Sequence, residues 1–382
     1  ITVTNAKDAI TTVSLTDNGV ISFDRLVDGT ANSVTLSAGA DLASATTVTD
    51  VFADEETITI DASSFDFERD GDITTTDLTT LVLTGDNTIQ LGTSGSKTLS
   101  STKLASIDGS AVTGTEAVTV VATASTKAMT VTGPGTTGLF TVNTGTGADT
   151  VTAGSGAMTT NVGGGDDTVV GGSKVDTVTG GAGNDTITGN GGKDVITGGA
   201  GVDTVTLTET TAIEDTVHLS NGANNYDIII GMDAGGTALD DNINAADGTY
   251  AWFGDGVTNN DGAVALITGA TLAAAHAIDD NATVYTVSTN AAANTFDNYM
   301  AGTLTEASME ANIITAVGAT TGMANTDIVM VFVDDGEHTG VFKFDGDATT
   351  TGAATAGELE VMAILKDFTD ATAILAADVT FA

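Results

Sequence analysis

Aspartates recur at one fixed spacing in residues 145 to 206, GTGADTVTAGSGAMTTNVGGGDDTVVGGSKVDTVTGGAGNDTITGNGGKDVITGGAGVDTVT. The register runs Asp149, Met158, Asp167, Asp176, Asp185, Asp194 and Asp203, each nine residues after the last. Two residues beyond each position stands an aliphatic residue or Thr: Val151, Thr160, Val169, Val178, Ile187, Ile196 and Val205. Glycines precede the aspartates, among them Gly163, Gly165, Gly181, Gly183, Gly199 and Gly201. Carboxylates and glycine-freed carbonyls offer hard oxygen ligands, which suit calcium; zinc, copper or iron would call for His or Cys, and this stretch has neither.

These residues need elements that hold them in line. Each unit reads as a turn and a short strand with one inward side chain, which cannot bury itself alone and must stack on its neighbours. If the chain reverses at every glycine turn, two units complete one lap of a flattened parallel solenoid. The aspartates then sort onto two edges, Asp149, Asp167, Asp185 and Asp203 on one, Asp176 and Asp194 on the other, with Met158 at the vacant place. Stacked strands lie roughly 4.8 Å apart. At an effective dielectric near 20, a carboxylate pair about 5 Å apart costs on the order of 3 kcal/mol, which a bound cation removes.

The pattern resembles the haemolysin-type calcium-binding repeats of RTX proteins, G-G-x-G-x-D-x-U-x. Gly180 to Asp185 and Gly198 to Asp203 match it in full; elsewhere Lys174 and Asn190 replace glycines, Val162 and Thr144 stand in first positions, and Met158 removes a ligand. The resemblance implies about four calcium ions between turns of the roll.

A second calcium candidate is residues 66 to 77, DFERDGDITTTD, with room for one ion. Asp66, Glu68, Asp70 and Asp77 fall at positions 1, 3, 5 and 12 of an EF-hand-like loop and Gly71 at position 6. Glu68 is longer than the usual Asp or Asn, and Asp77 replaces the bidentate Glu.

Composition narrows the function. Of 382 residues, 51 are acidic and 10 basic, a formal net charge of -41, which argues against nucleic acid and anionic lipid as partners. Such a chain repels itself when compact, and bound divalent cations offset that repulsion, so folding and calcium are expected to be linked. Aromatics make up 4%, with Ala, Val, Thr and Ile in the core, which suits stacked β structure. No cysteine offers a disulfide or a thiol. No apolar run is long enough for a transmembrane segment, and the start at Ile1 reads as a processed or truncated form whose export signal lies elsewhere.

The expected fold is all-β: a parallel β-roll or β-solenoid of nonapeptide repeats flanked by β-rich domains, with a few short helices in the C-terminal part. Four regions are expected: a β-rich stretch 1–127, the roll 128–206, a β-rich stretch with short helices 207–327, and a C-terminal module 328–382. Phe140 and Val142 lie nine residues before Asp149 and Val151, so the roll's phase starts before its aspartates, with Phe140 giving an apolar contact in place of an ion. Asp215, Asp227, Asp233, Asp240 and Asp241 read as solvated loop acids. Ala-rich stretches at 271–278 and 304–316 read as helices, the second capped by Thr305. Residues 328 to 345 read as a hairpin around Gly336, followed by a helix at about 355–367 and a final strand in ADVTFA.

No catalytic constellation is visible. His218, His276 and His338 stand alone, and neither H-E-x-x-H nor G-x-S-x-G occurs, so no enzyme activity is expected. The C-terminal module resembles the secretion region of type I exported RTX proteins, and the whole resembles surface-layer proteins of Gram-negative bacteria. That likeness implies a secreted, cell-surface structural protein that assembles with itself, uses type I secretion machinery and meets a cell-surface polysaccharide. A calcium-dependent adhesin or extracellular fibre or biofilm protein is the alternative.

Overall fold

The computed structural model describes residues 2–6, 12–15, 22–25, 32–40, 50–52, 55–69, 72–92, 99–207, 213–220, 225–232, 241–244, 266–268, 284–287, 295–305, 308–309, 328–335, 337–345, 359–368 and 379–380. It divides into two units, Ile1–Asp194 and Val195–Ala382. The described residues are all-β, in mostly parallel sheets, with almost no helix among them.

In the first unit, alternating Thr and aliphatic residues produce strands that bury every second side chain, as in Thr57–Ala62 and Thr80–Gly85. Every pairing among its described strands is parallel. Strands adjacent in sequence therefore belong to different sheets. Thr12–Leu15 pairs with Ser33–Ala38, whereas Ser22–Arg25 pairs with Thr2–Ala6, so the Asp17-Asn18-Gly19 signal joins no hairpin.

The coil shortens along the chain. Val34, Ile58, Leu81, Ile107, Val131, Val151, Val169 and Ile187 are register partners in one inward column, at separations of 24, 23, 26, 24, 20, 18 and 18 residues. All eight are at most 2% exposed. The five-stranded sheet ends at Leu99–Ser100, and the coil that follows, Ile107 to Val131, still spans 24 residues; the shortening comes after it. After it each coil makes two strands, and from Phe140 onward the nonapeptide spacing suffices.

A second column shows where apolar stacking gives way to carboxylates. Phe67, Ile89, Val118, Phe140 and Met158 are successive register partners, each 2% exposed or less. Thr159 pairs with Thr177, which places Asp176 next in the column. Phe140 thus makes the apolar contact expected of it.

In the second unit, Val195–Ala200, Thr216–His218, Asn242–Asn244 and Val379–Thr380 stack in parallel. Thr204–Thr206, Asp227–Ile230 and Leu359–Lys366 form a second parallel run. Leu359–Lys366 then pairs antiparallel with Thr339–Asp345, and that strand with Ile328–Asp334, the expected hairpin. The helix expected at 355–367 is corrected to a strand over 359–366. Val361 to Leu365 are buried without a break, sandwiched between two strands, an environment for a central strand rather than a one-faced helix.

A helix does form at Thr295–Met300, where sequence periodicity gave no signal. Its Phe296 ring lies 6.1 Å from that of Phe342 and its Tyr299 ring 5.1 Å from that of Tyr226. The Asp335 Oδ2 accepts the Phe296 N–H at 2.9 Å and holds the helix to the hairpin. The 271–278 stretch lies outside the described residues. Of 304–316, Thr305 accepts the Ser308 N–H on Oγ1 at 3.3 Å, a capping contact, and residues 306–307 and 310–316 lie outside the described residues.

Candidate calcium site

Glycine turns let successive coils touch backbone to backbone. A Cβ on Gly163 would come within 2.0 Å of the Gly145 carbonyl oxygen, and one on Gly181 within 2.0 Å of that of Gly163. Both residues also hold positive φ, 91° and 113°, which favours glycine. Asn190, replacing a glycine, takes φ 63° and donates from Nδ2 to the Gly171 carbonyl at 2.7 Å.

The aspartates follow each turn and face inward. Asp149, Asp167, Asp176, Asp185, Asp194 and Asp203 are each 2% exposed or less. Each carboxylate in the first unit reaches to the coil before its own. The Asp167 Oδ1 accepts the Asp149 N–H at 2.6 Å and the Asp185 Oδ1 the Asp167 N–H at 2.9 Å. On the other edge Asp176 takes the Met158 N–H at 2.6 Å and Asp194 takes the Asp176 N–H at 2.8 Å. One oxygen of each of these carboxylates thus closes the backbone ladder. The Oδ2 atoms of Asp149 and Asp167 are buried and accept no hydrogen bond, whereas the Asp176 Oδ2 accepts the Gly172 N–H at 2.7 Å.

Burial disfavours the ionised carboxylates. It pushes Asp149 and Asp176 up from the usual range and, with the neighbouring charges of Asp185, Asp149 and Asp166 adding to it, raises Asp167 to about 7. These groups fit a hard divalent cation: anionic oxygens buried next to turns dense in backbone carbonyls, with no thiolate or imidazole. Calcium bound there supplies the positive charge that keeps the carboxylates ionised.

The shift has a direction that can be measured. A raised carboxylate pKa makes the calcium-free fold bind more protons than the unfolded chain. Without calcium, stability is therefore highest near pH 4 and falls as pH rises to about 7. The Asp167 shift alone amounts to on the order of 4 kcal/mol. Urea unfolding of chelated protein at pH 5 and pH 8 is expected to give a higher midpoint at pH 5, and an equal or lower midpoint there would count against buried ionisable ladders.

The other candidates behave differently. In the 66–77 loop the Asp66 Oδ1 accepts the Thr88 N–H at 2.9 Å, Glu68 lies within the strand Phe67–Arg69, and Asp77 pairs with Lys103, which holds its carboxyl below the usual range. Asp70 and Gly71 lie outside the described residues. Strands rather than helices flank the loop, and among the described residues its carboxylates do not converge.

The described residues do bring Asp297, Glu337 and His338 together. The His338 Nδ1 accepts the Asp367 N–H at 2.9 Å, so the neutral ring carries its proton on Nε2, 3.0 Å from the Asp297 Oδ1. Both ring nitrogens are engaged, and the group ties the hairpin to the helix.

The reading of Asp215, Asp227 and Asp241 as solvated is corrected: they are 0, 1 and 4% exposed. The Asp215 N–H donates to the Asp241 Oδ1 at 3.0 Å, the same rung seen in the repeats. Each begins an Asp-x-aliphatic triplet (DTV, DII, DNI), the signal that irregular spacing hid.

A family profile described as the RTX calcium-binding nonapeptide repeat (4 copies) matches residues 141–169 and 170–205. Comparison of the chain with curated proteins and with solved structures gives no match. Such repeats bind Ca2+, and the matched residues coincide with the aspartate ladder. The chain thus carries RTX repeats over 141–205, and these repeats are a calcium-binding element.

Proposed function

We propose that this protein is a calcium-dependent, self-assembling extracellular structural protein of the surface-layer type, without catalytic activity, that folds and assembles after secretion. RTX repeats imply calcium binding and a secreted class of protein. Among the described residues no helix is long and apolar enough to cross a membrane.

The observation that carries the reading is the ladder of buried carboxylates, which couples folding to calcium. In a calcium-poor cytosol a self-repelling chain stays unfolded and exportable, and outside, calcium at about millimolar levels fills even weak sites. The outer face of the roll supports assembly. Thr130, Thr150, Thr168 and Thr186 are register partners, all exposed, and give an uncharged strip on a chain of net charge -41. Copies can pack there without bringing acids together. Type I secretion machinery and a cell-surface polysaccharide are the remaining partners in this reading.

Electron microscopy of purified protein with calcium added is the test. A two-dimensional lattice is expected that dissolves in chelator. One-dimensional polymers would move the reading to a fibre, and monodisperse monomers at millimolar calcium would overturn self-assembly.

A further inference from the structure

We infer that the cation ladder begins one coil upstream of the repeats, with a divalent-cation site in the step between turn 125–129 and turn 145–149. The family match starts at residue 141, and turn 125–129, Ser-Thr-Lys-Ala-Met, contains neither glycine nor aspartate. Sequence alone therefore gives no reason to place an ion there.

The geometry does. The Asp167 and Asp185 carboxylates each reach into the step before their own coil, where the residue below donates its backbone N–H. A methionine supplies that N–H as well as an aspartate does: Met129 donates to the Asp149 Oδ1 at 2.8 Å. This bond holds the Asp149 carboxylate in the 129/149 step. Asp149 is 2% exposed, and its Oδ2 accepts no hydrogen bond.

The two turns also stack as repeat turns do. Thr146 N–H donates to the Ser125 carbonyl at 3.0 Å, as Gly164 does to Gly145 at 3.0 Å and Ala182 to Gly163 at 2.9 Å. Gly145 and Gly147 lie directly over the Ser125 and Lys127 carbonyls. Turn 125–129 is held in shape by its own serine, whose Oγ donates to the Leu104 carbonyl at 2.8 Å and accepts the Lys127 N–H at 3.2 Å. The cation's remaining oxygens would come from these two turn backbones, the ligand class calcium accepts.

The opposite edge lacks a counterpart. Its 140/158 step has Met158 where Asp149 stands here, so no carboxylate enters it. The ladder therefore starts on one edge only. With a charged neighbour on one side rather than two, the 129/149 step is the weakest of its edge and fills last.

Two measurements on the full chain test this. In the wild type, hydrogen exchange with and without calcium should show added protection at 125–129 and none at 134–139, appearing at higher calcium than protection at 163–185. In Asp149→Asn, which keeps the acceptor for Met129, equilibrium dialysis should count one calcium fewer per chain, with protection at 163–185 retained. An unchanged ion count in this variant, or calcium-dependent protection that starts only at residue 145 in the wild type, would overturn the site. The wild-type exchange decides the question even if the variant fails to fold.

Discussion

Chelation of calcium at pH 8 is expected to unfold the roll at 145–207 while the coils over 55–124 stay folded. The two stretches bury different things. Before residue 140 the described inward columns are apolar, and the buried polar side chains are Glu55, Thr75, Ser101 and Ser125. Several steps there close with neutral bonds: Ser101 Oγ donates to the Leu78 carbonyl at 2.8 Å and Ala105 N–H to the Thr79 carbonyl at 2.9 Å. The carboxylates that accept a backbone N–H from a neighbouring coil there, Glu56 from Asn32 and Asp66 from Thr88, are half-buried rather than inside the core. The exposed charge pair of Lys103 with Asp77 brings its own cation. From Asp149 onward a carboxylate enters the core at each ladder position except Met158. Each ionised carboxylate without a cation costs several kcal/mol, so a few of them exceed the marginal stability of a domain. Far-UV circular dichroism should lose part of its β signal in chelator, and limited proteolysis should cut within 145–207 first. Equal resistance of the roll with and without calcium would contradict this.

Asp167→Asn and Asp167→Ala are expected to separate the two tasks of one carboxylate. Asn keeps an acceptor for the Asp149 N–H, bonded at 2.6 Å in the native chain, and removes the charge. In calcium it should lower stability by about 3 to 5 kcal/mol, the range for breaking a buried ion pair. In chelator at pH 5 the native Asp167 is largely protonated, because burial raises it to about 7, and the Asn variant should match it within about 1 kcal/mol. Ala removes the acceptor as well. It should cost a further 1 to 3 kcal/mol, roughly, under both conditions, because a buried N–H is left unsatisfied. Urea titrations at pH 5 in chelator and at pH 7 in calcium read both differences. Equal effects of Asn and Ala throughout would show that the ladder bond contributes nothing.

The repeat region was legible because nine-residue phase fixes register, edge and inward position at once. Asp167, Asp185 and Val169 could be placed from spacing alone. The upstream strands read as a β-solenoid or stacked sheet that the roll continues, but the length of each coil and the number of sheets were not legible. Their separations of 23 to 26 residues hide a third sheet that ends at Leu99–Ser100, and no sequence period marks its loss. Asp215, Asp227 and Asp241 escaped for the same reason, since insertions shift their triplets out of phase while the strands still stack. Leu359–Lys366 misled because LEVMAILK has good helix formers; two-sided strand pairing overrode local propensity. That a carboxylate oxygen caps the backbone N–H of the coil before, while the Oδ2 of Asp149 and Asp167 accepts no hydrogen bond, depends on side-chain geometry that no spacing reveals.

The central claim is that calcium holds the roll together through its buried carboxylates. Hydrogen exchange at the amides of Asp149 and Asp167, followed with calcium and with chelator at pH 8, tests it most directly. Both amides donate to ladder carboxylates, whereas the amides of Thr79 and Ala105 donate to upstream carbonyls. The account predicts that chelation accelerates exchange at Asp149 and Asp167 by orders of magnitude and leaves Thr79 and Ala105 slow. Slow exchange at all four in chelator would contradict it.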